Sequence, residues 1–171
     1  VQSIYGGKQV LNEEFRAGTV EHHLNEQPYN MIHIASHGKV ESDVTKSFVL
    51  TFDDRITMDR LSHLVGMFEA RTGPLELLTL SACETAAGDD RAALGLAGMA
   101  IKAGAKSALA TLWFIDDEAT AELITEFYKN LQDPATSKAM ALQQAQLTLL
   151  KNPDRAHPSL WAPFLLINNW L

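Results

Sequence analysis

A thiol and an imidazole stand at comparable points of this sequence. Cys83, the sole cysteine, follows the apolar run Leu75-Glu-Leu-Leu-Thr-Leu80, and His37 follows the run Met31-Ile-His-Ile-Ala35. A free cysteine has a pKa near ~8.5 and is mostly thiol at neutral pH, so an adjacent imidazole is the base that makes it a nucleophile. That pair suits acyl transfer. Gly38, directly after the histidine, leaves its backbone amide open to an approaching carbonyl, and with the Cys83 amide it could form an oxyanion hole. Taken singly, each residue has a plainer reading, because cysteine packs well in cores and a histidine after a strand is often a hydrogen-bonded loop residue. Their joint placement after two strand-like runs favours chemistry.

The elements that must position them alternate between strand and helix. Short apolar runs bounded by glycine or proline predict strands at Met31–Ala35, Leu75–Ser81, Lys106–Trp113 and Phe164–Ile167. Apolar residues at helical spacing predict helices over Phe15–Leu24, Met58–Phe68, Ala92–Ala103, Asp116–Leu131 and Ser137–Leu150, with Gly104 as a stop for the third. Val1–Tyr5 reads as the end of an element, Lys8–Leu11 as a short β-leaning stretch, and Ser47–Phe52 with Arg55-Ile56 as a small hairpin around Asp53-Asp54. The alternation implies an α/β fold: a mostly parallel sheet with helices on both faces and the hairpin as an appendage. In such sheets ligands bind beyond the carboxyl ends of the strands, where His37 and Cys83 both fall.

Composition narrows the possibilities. A chain of 171 residues that is 46% hydrophobic and 20% charged is expected to form one domain over 1–171. A single cysteine excludes an internal disulfide and favours a reducing, cytoplasmic setting. A net charge of −7, with 14 scattered Lys and Arg, speaks against a nucleic-acid surface. The most apolar stretch, Ala92–Phe114, is interrupted by Lys102 and Lys106 and falls short of the ~20 residues that span a bilayer. The start at Val1, inside an existing pattern, reads as a fragment lacking its first strand.

Four motifs in order carry a family resemblance. His33-Ile-Ala-Ser-His-Gly38, Leu80-Ser-Ala-Cys-Glu-Thr85, Ala110-Thr-Leu-Trp113 with Asp116-Asp-Glu-Ala-Thr120, and His157-Pro-Ser-Leu-Trp-Ala-Pro163 together resemble a CHAT domain, a relative of caspases and separases. The resemblance implies a three-layer caspase-like fold and a cysteine endopeptidase with His37 and Cys83 as its dyad. Their separation of 46 positions is close to the ~50 of the caspase arrangement. Leu112-Trp-Phe-Ile-Asp-Asp117 is similar to the separase stretch Leu-Trp-Asp-Val-Thr-Asp, whose last aspartate faces a basic substrate side chain. That points to Asp117 and to cleavage after Arg or Lys, since a carboxylate pairs with a guanidinium through two parallel bonds. Asp116 and Trp113 are further candidates for the substrate groove, beside plainer roles as a helix cap and a core aromatic. Domains of this kind commonly follow helical repeats, so a protein substrate and a helical-repeat region of the same parent chain are the expected partners.

The other reactive side chains fit structural roles. His33 sits inside a strand, His22, His23 and His63 ride on helices, and none forms a metal-ligand cluster with Cys83, so neither metal nor cofactor is expected. Gly95 and Gly98 lack the lysine of a phosphate loop, and Ser36 and Ser81 lack a nucleophile-elbow pattern. The polar stretch Lys39–Lys46 reads as a loop that could switch the site, or as an ordinary solvated connection. The alternatives to a peptidase are a non-catalytic interaction or signalling module of the same fold and, since the dyad's chemistry equally permits it, a thiol acyltransferase or hydrolase of another substrate class.

Overall fold

Two apolar runs fold as adjacent strands buried on both faces. β5 (Leu77–Ser81) and β7 (Ser107–Thr111) are buried at every position and pair in parallel, Leu78 with Ala108 and Leu80 with Ala110. β1 (Met31–Ala35) pairs in parallel on the outer side of β5, and β8 (Phe164–Asn168) closes the other side of β7 antiparallel, giving the order β1-β5-β7-β8. The computed structural model describes residues 1–171 apart from 42, 82–83, 86–97, 99 and 114–115.

Strand alternation divides the core in two, because successive side chains point to opposite faces. Ile34, Leu78, Leu80, Ala108 and Ala110 meet α2 (Ala17–Glu26) and α3 (Met58–Thr72) through Ala17, Met58, Leu61 and Val65. Leu77, Leu109 and Phe164 face α4 (Asp117–Asn130) and α5 (Lys138–Lys151) through Leu123, Phe127, Ala141, Ala145 and Leu149. Ile4 of α1 (Gln2–Tyr5) joins that second cluster. The result is the expected three-layer α/β arrangement with a mostly parallel sheet.

Local chemistry sets the helix ends. Asp116 caps α4 by accepting from the Ala119 N–H at 3.0 Å, and Ser137 caps α5 by accepting from Met140 at 3.2 Å. Residues 100–102 are helical, and Gly104 ends that segment with φ 109°, a conformation that suits glycine. Of the rest of the helix expected over Ala92–Ala103, residue 98 is helical, Ala103 lies in the turn, and the other residues lie outside the described ones.

The hairpin is larger than its sequence pattern. β3 (Phe48–Leu50) and β4 (Arg55–Thr57) pair antiparallel as expected, but β2 (Gly38–Val40) adds to β3 and β6 (Glu84–Thr85) adds to β2, making a second sheet of order β4-β3-β2-β6. Part of the stretch read as a loop, Lys39–Lys46, is therefore a strand, and Val44–Lys46 forms a 3-10 turn. Asp43 accepts from Thr45 through its N–H and hydroxyl at 3.2 and 2.7 Å, and Ser47 Oγ accepts from the Glu41 N–H at 2.9 Å, which gives the stretch its own hydrogen bonds. Lys8–Leu11 forms no regular element. Among the described residues no helix is long and apolar enough to cross a membrane.

Candidate functional site

The carboxyl ends of β1 and β5 lie side by side, Ala35 paired with Ser81. His37 is two residues beyond Ala35, and Cys83 is two residues beyond Ser81 in the sequence. Cys83, with its thiol and its amide, lies outside the described residues. The described chain resumes at Glu84, which pairs in parallel with Lys39 of β2.

A cleft of about 650 Å³ opens at these strand ends. His37, exposed, lines it with Ser36 and Ser81; α4 contributes Asp117, Thr120 and Ile124; Phe15, Leu50 and Phe52 line it as well. The structure thus brings His37 and Asp117 to one cavity, 80 residues apart in sequence. Asp117 is the single carboxylate side chain among the described lining residues, and no Lys or Arg stands among them.

The backbone around His37 is tied to the hairpin. Leu50 N–H donates to His37 O at 2.7 Å, and Ser36 Oγ donates to Leu50 O at 2.7 Å. With that bond in place, Gly38 and Val49 form the antiparallel pair whose N–H groups point away from each other. The Gly38 amide is thereby directed to the side of β2 that carries β6. The absence of a side chain at Gly38 has a second cause: a Cβ there would stand 2.6 Å from Phe48 O.

Asp117 is set apart from its acidic neighbours by one guanidinium. Arg155 Nη2 lies 2.7 Å from Glu118, Nε 3.5 Å from Glu122 and Nη1 3.8 Å from Asp116. These contacts, with the charge-assisted hydrogen bond to Glu118 foremost, hold the arginine firmly protonated. Asp116 is also occupied as the α4 cap, and Asp117 has no hydrogen-bond or ion-pair partner among the described residues. Trp113 is 39% exposed and its indole donates to Ser159 O at 3.2 Å. Neither Asp116 nor Trp113 is among the described residues that line the cleft.

The floor carries a polar group that sequence reasoning assigned only to the sheet. His33 Nε2 and Ser81 Oγ share a hydrogen bond of 3.0 Å, and both residues line the cleft. Burial, the main cause, lowers the His33 pKa to about 4, so its ring is neutral at neutral pH. Its Nδ1 is buried without a partner in the described structure. Beneath it, Thr79 Oγ1 and Tyr128 OH lie 2.9 Å apart, and burial pushes the Tyr128 phenol up to about 12. Period-two alternation from Ala35 and Ser81 back to His33 and Thr79 was the available signal, since these residues share a face. Among the described residues no group of three or more His, Cys, Asp or Glu side chains is arranged to hold a metal ion.

A parallel α/β sheet with a cleft at its strand ends defines the broad class, an open α/β protein with its site where such sheets place ligands. Comparison with curated protein sequences gave no match. The sequence matches the CHAT domain family over residues 2–169, and the chain belongs to that family. Its fold is accordingly the caspase-like, peptidase-related one.

Proposed function

We propose that this domain is a cysteine endopeptidase that cleaves a protein after a basic residue. The observation that carries the reading is the shared cleft: His37 and Asp117 line it together with Ser81, and Cys83 is two residues further along the chain from Ser81. In the proposed reaction His37 takes the Cys83 proton and the thiolate attacks the peptide carbonyl carbon. The Gly38 and Cys83 amides hold the resulting oxyanion, and the direction of the Gly38 amide toward the β6 side supports this role. The imidazolium then protonates the departing amine, and water hydrolyses the thioester to a carboxylate and the free thiol.

Asp117 is the carboxylate we assign to the basic side chain, because among the described residues it is unpaired and has no competing acid in the cleft. Asp116 acts on it indirectly, by capping the helix that presents it, and Trp113 lies in the connection before that helix. The test is cleavage of a fluorogenic peptide library by the protein and by its Cys83→Ala and His37→Ala variants. Loss of the nucleophile should abolish turnover, and loss of the base should lower kcat/KM by roughly 100- to 10,000-fold. Asp117→Asn should weaken Arg and Lys peptides selectively. Unchanged turnover in Cys83→Ala would sink the proposal and leave a binding module of the same fold.

A further inference from the structure

The two walls of the cleft come from opposite sides of the central sheet. Asp117, Thr120 and Ile124 belong to α4, which packs on the face of Leu77 and Leu109, whereas Phe15 packs against the cluster of Ile34, Leu78 and Leu80. The first wall holds the carboxylate. The second presents Phe15, Leu50 and Phe52 beside Asn12 and Thr51, and its large apolar side chains are partly uncovered: Leu50 is 42% exposed and Phe52 56%.

Phe52 is exposed and yet held in place. Its N–H donates to Phe15 O at 2.7 Å, and the Arg16 guanidinium lies 5.1 Å from the centre of its ring, over one face. Arg16 is itself fixed, its Nε donating to Glu13 O at 2.9 Å and its Nη1 3.8 Å from Asp53. Asp53 in turn accepts from the Ala17 N–H at 3.1 Å, at the start of α2. An aromatic surface fixed before binding loses less conformational freedom when a ligand covers it. The anchoring chain therefore suits a contact surface better than an incidental loop residue.

Resting on the reading of the cleft as a peptide site, we infer that it selects a two-residue signature: a basic side chain against Asp117 and, adjacent to it in sequence, a large apolar side chain against Phe15, Leu50 and Phe52. In an extended peptide successive side chains point to opposite sides at about 3.3 Å per residue. A chain lying along the cleft that sends one side chain to α4 sends its neighbours to the opposite wall. A cleft of about 650 Å³ has room for both. The signature combines the Asp117 carboxylate with the apolar surface across from it.

The experiment measures binding, so that it does not depend on turnover. Labelled pentapeptides with blocked ends, carrying Arg with Phe, Ala or Glu at either adjacent position, are titrated against the Cys83→Ala protein. In at least one of the two positions Phe should bind roughly ten-fold tighter than Ala, with Glu weakest. Phe52→Ser should bring Phe and Ala within about two-fold while keeping the preference for Arg, and Asp117→Asn should do the converse. Leu50→Ser serves as a second probe of the apolar wall, and each variant's circular dichroism spectrum checks that it is folded.

Equal affinities for Phe and Ala at both positions, or a preference that survives both Phe52→Ser and Leu50→Ser, overturns the inference. Failure of the peptidase reading looks different. If the intact protein binds with the predicted preference but leaves the peptides uncut, the peptidase reading falls and the signature stands. Cleavage without the apolar preference does the reverse, and no binding of any peptide overturns both.

Discussion

The two faces of the central sheet are built from the same strands and differ in kind. Toward α2 and α3 the strands present Ile34, Leu78, Leu80, Ala108 and Ala110, an apolar layer. Toward α4 and α5 they present His33, Thr79, Ser81, Ser107 and Thr111 among the leucines, and Tyr128 reaches down from α4 to Thr79. Buried hydroxyls and imidazoles stabilise little in net terms and are costly when unpartnered, as His33 Nδ1 and Thr111 Oγ1 are in the described structure. Both faces bury an apolar cluster, but the second also holds polar groups beneath the cleft. Period-two alternation separates the two tasks within each strand.

This contrast can be broken by substitution on either face. The largest effect is expected on the apolar side, where Leu80→Ala should lower the unfolding free energy by roughly 2–5 kcal/mol, read from urea denaturation, because it opens a cavity at a side chain only 2% exposed. A loss below ~1 kcal/mol would mean that this face is loosely packed and the contrast is false.

Acid should act on the polar face. Folded His33 takes up a proton only near pH 4, whereas an unfolded histidine does so near 6.5. Between those values the unfolded chain binds more protons, so stability rises with pH through the interval. The His33 contribution is full above pH 6.5 and is lost as pH falls toward 4, on the order of 3 kcal/mol in total. Denaturation midpoints followed over about pH 4 to 7 should show this slope, and His33→Gln should flatten it by close to one proton. An unaltered slope in the variant would place the titration elsewhere.

The smallest effect sharpens the comparison. Tyr128→Phe strands the buried Thr79 hydroxyl and should cost about 1–2 kcal/mol, whereas Thr79→Val with Tyr128→Phe should recover most of the loss by removing both partners. A double variant at least as stable as the parent would mean that the pair is not kept for stability. A double variant much weaker than either single one would contradict that view.

The sheet and most helices were legible because each buries a continuous run or a regular stripe. Leu77–Ser81 and Ser107–Thr111 are buried on both faces, and their leucines and alanines, with only small hydroxyl residues between, read as strands. Helices Asp117–Asn130 and Lys138–Lys151 start one residue after the Asp116 and Ser137 caps. β2 and β6 were not legible, since three and two residues carry no period and the surrounding Lys39–Lys46 is polar. Of the site, His37 and Asp117 follow from strand-end and motif reasoning. The apolar wall does not, because Phe15 is at least 35 residues before Leu50 and Phe52 and only the tertiary structure joins it to them. The cleft-floor role of His33 was hidden because its hydrogen-bond partner Ser81 is 48 residues away and comes near only where β1 and β5 lie side by side.

The pair of bonds between Ser36, His37 and Leu50 has a mechanical consequence. Because the imidazole-bearing turn is latched to β3 at both the side chain and the backbone, the imidazole turn and the Phe52 shelf ride on one jaw, and α4 with Asp117 forms the other. Any shift of that jaw would change the gap between acid and shelf more than the spacing from base to shelf, which the two bonds tie together. Displacing the tip of the hairpin, which carries Thr51 and Phe52 at the cleft, would therefore also displace the turn that carries His37.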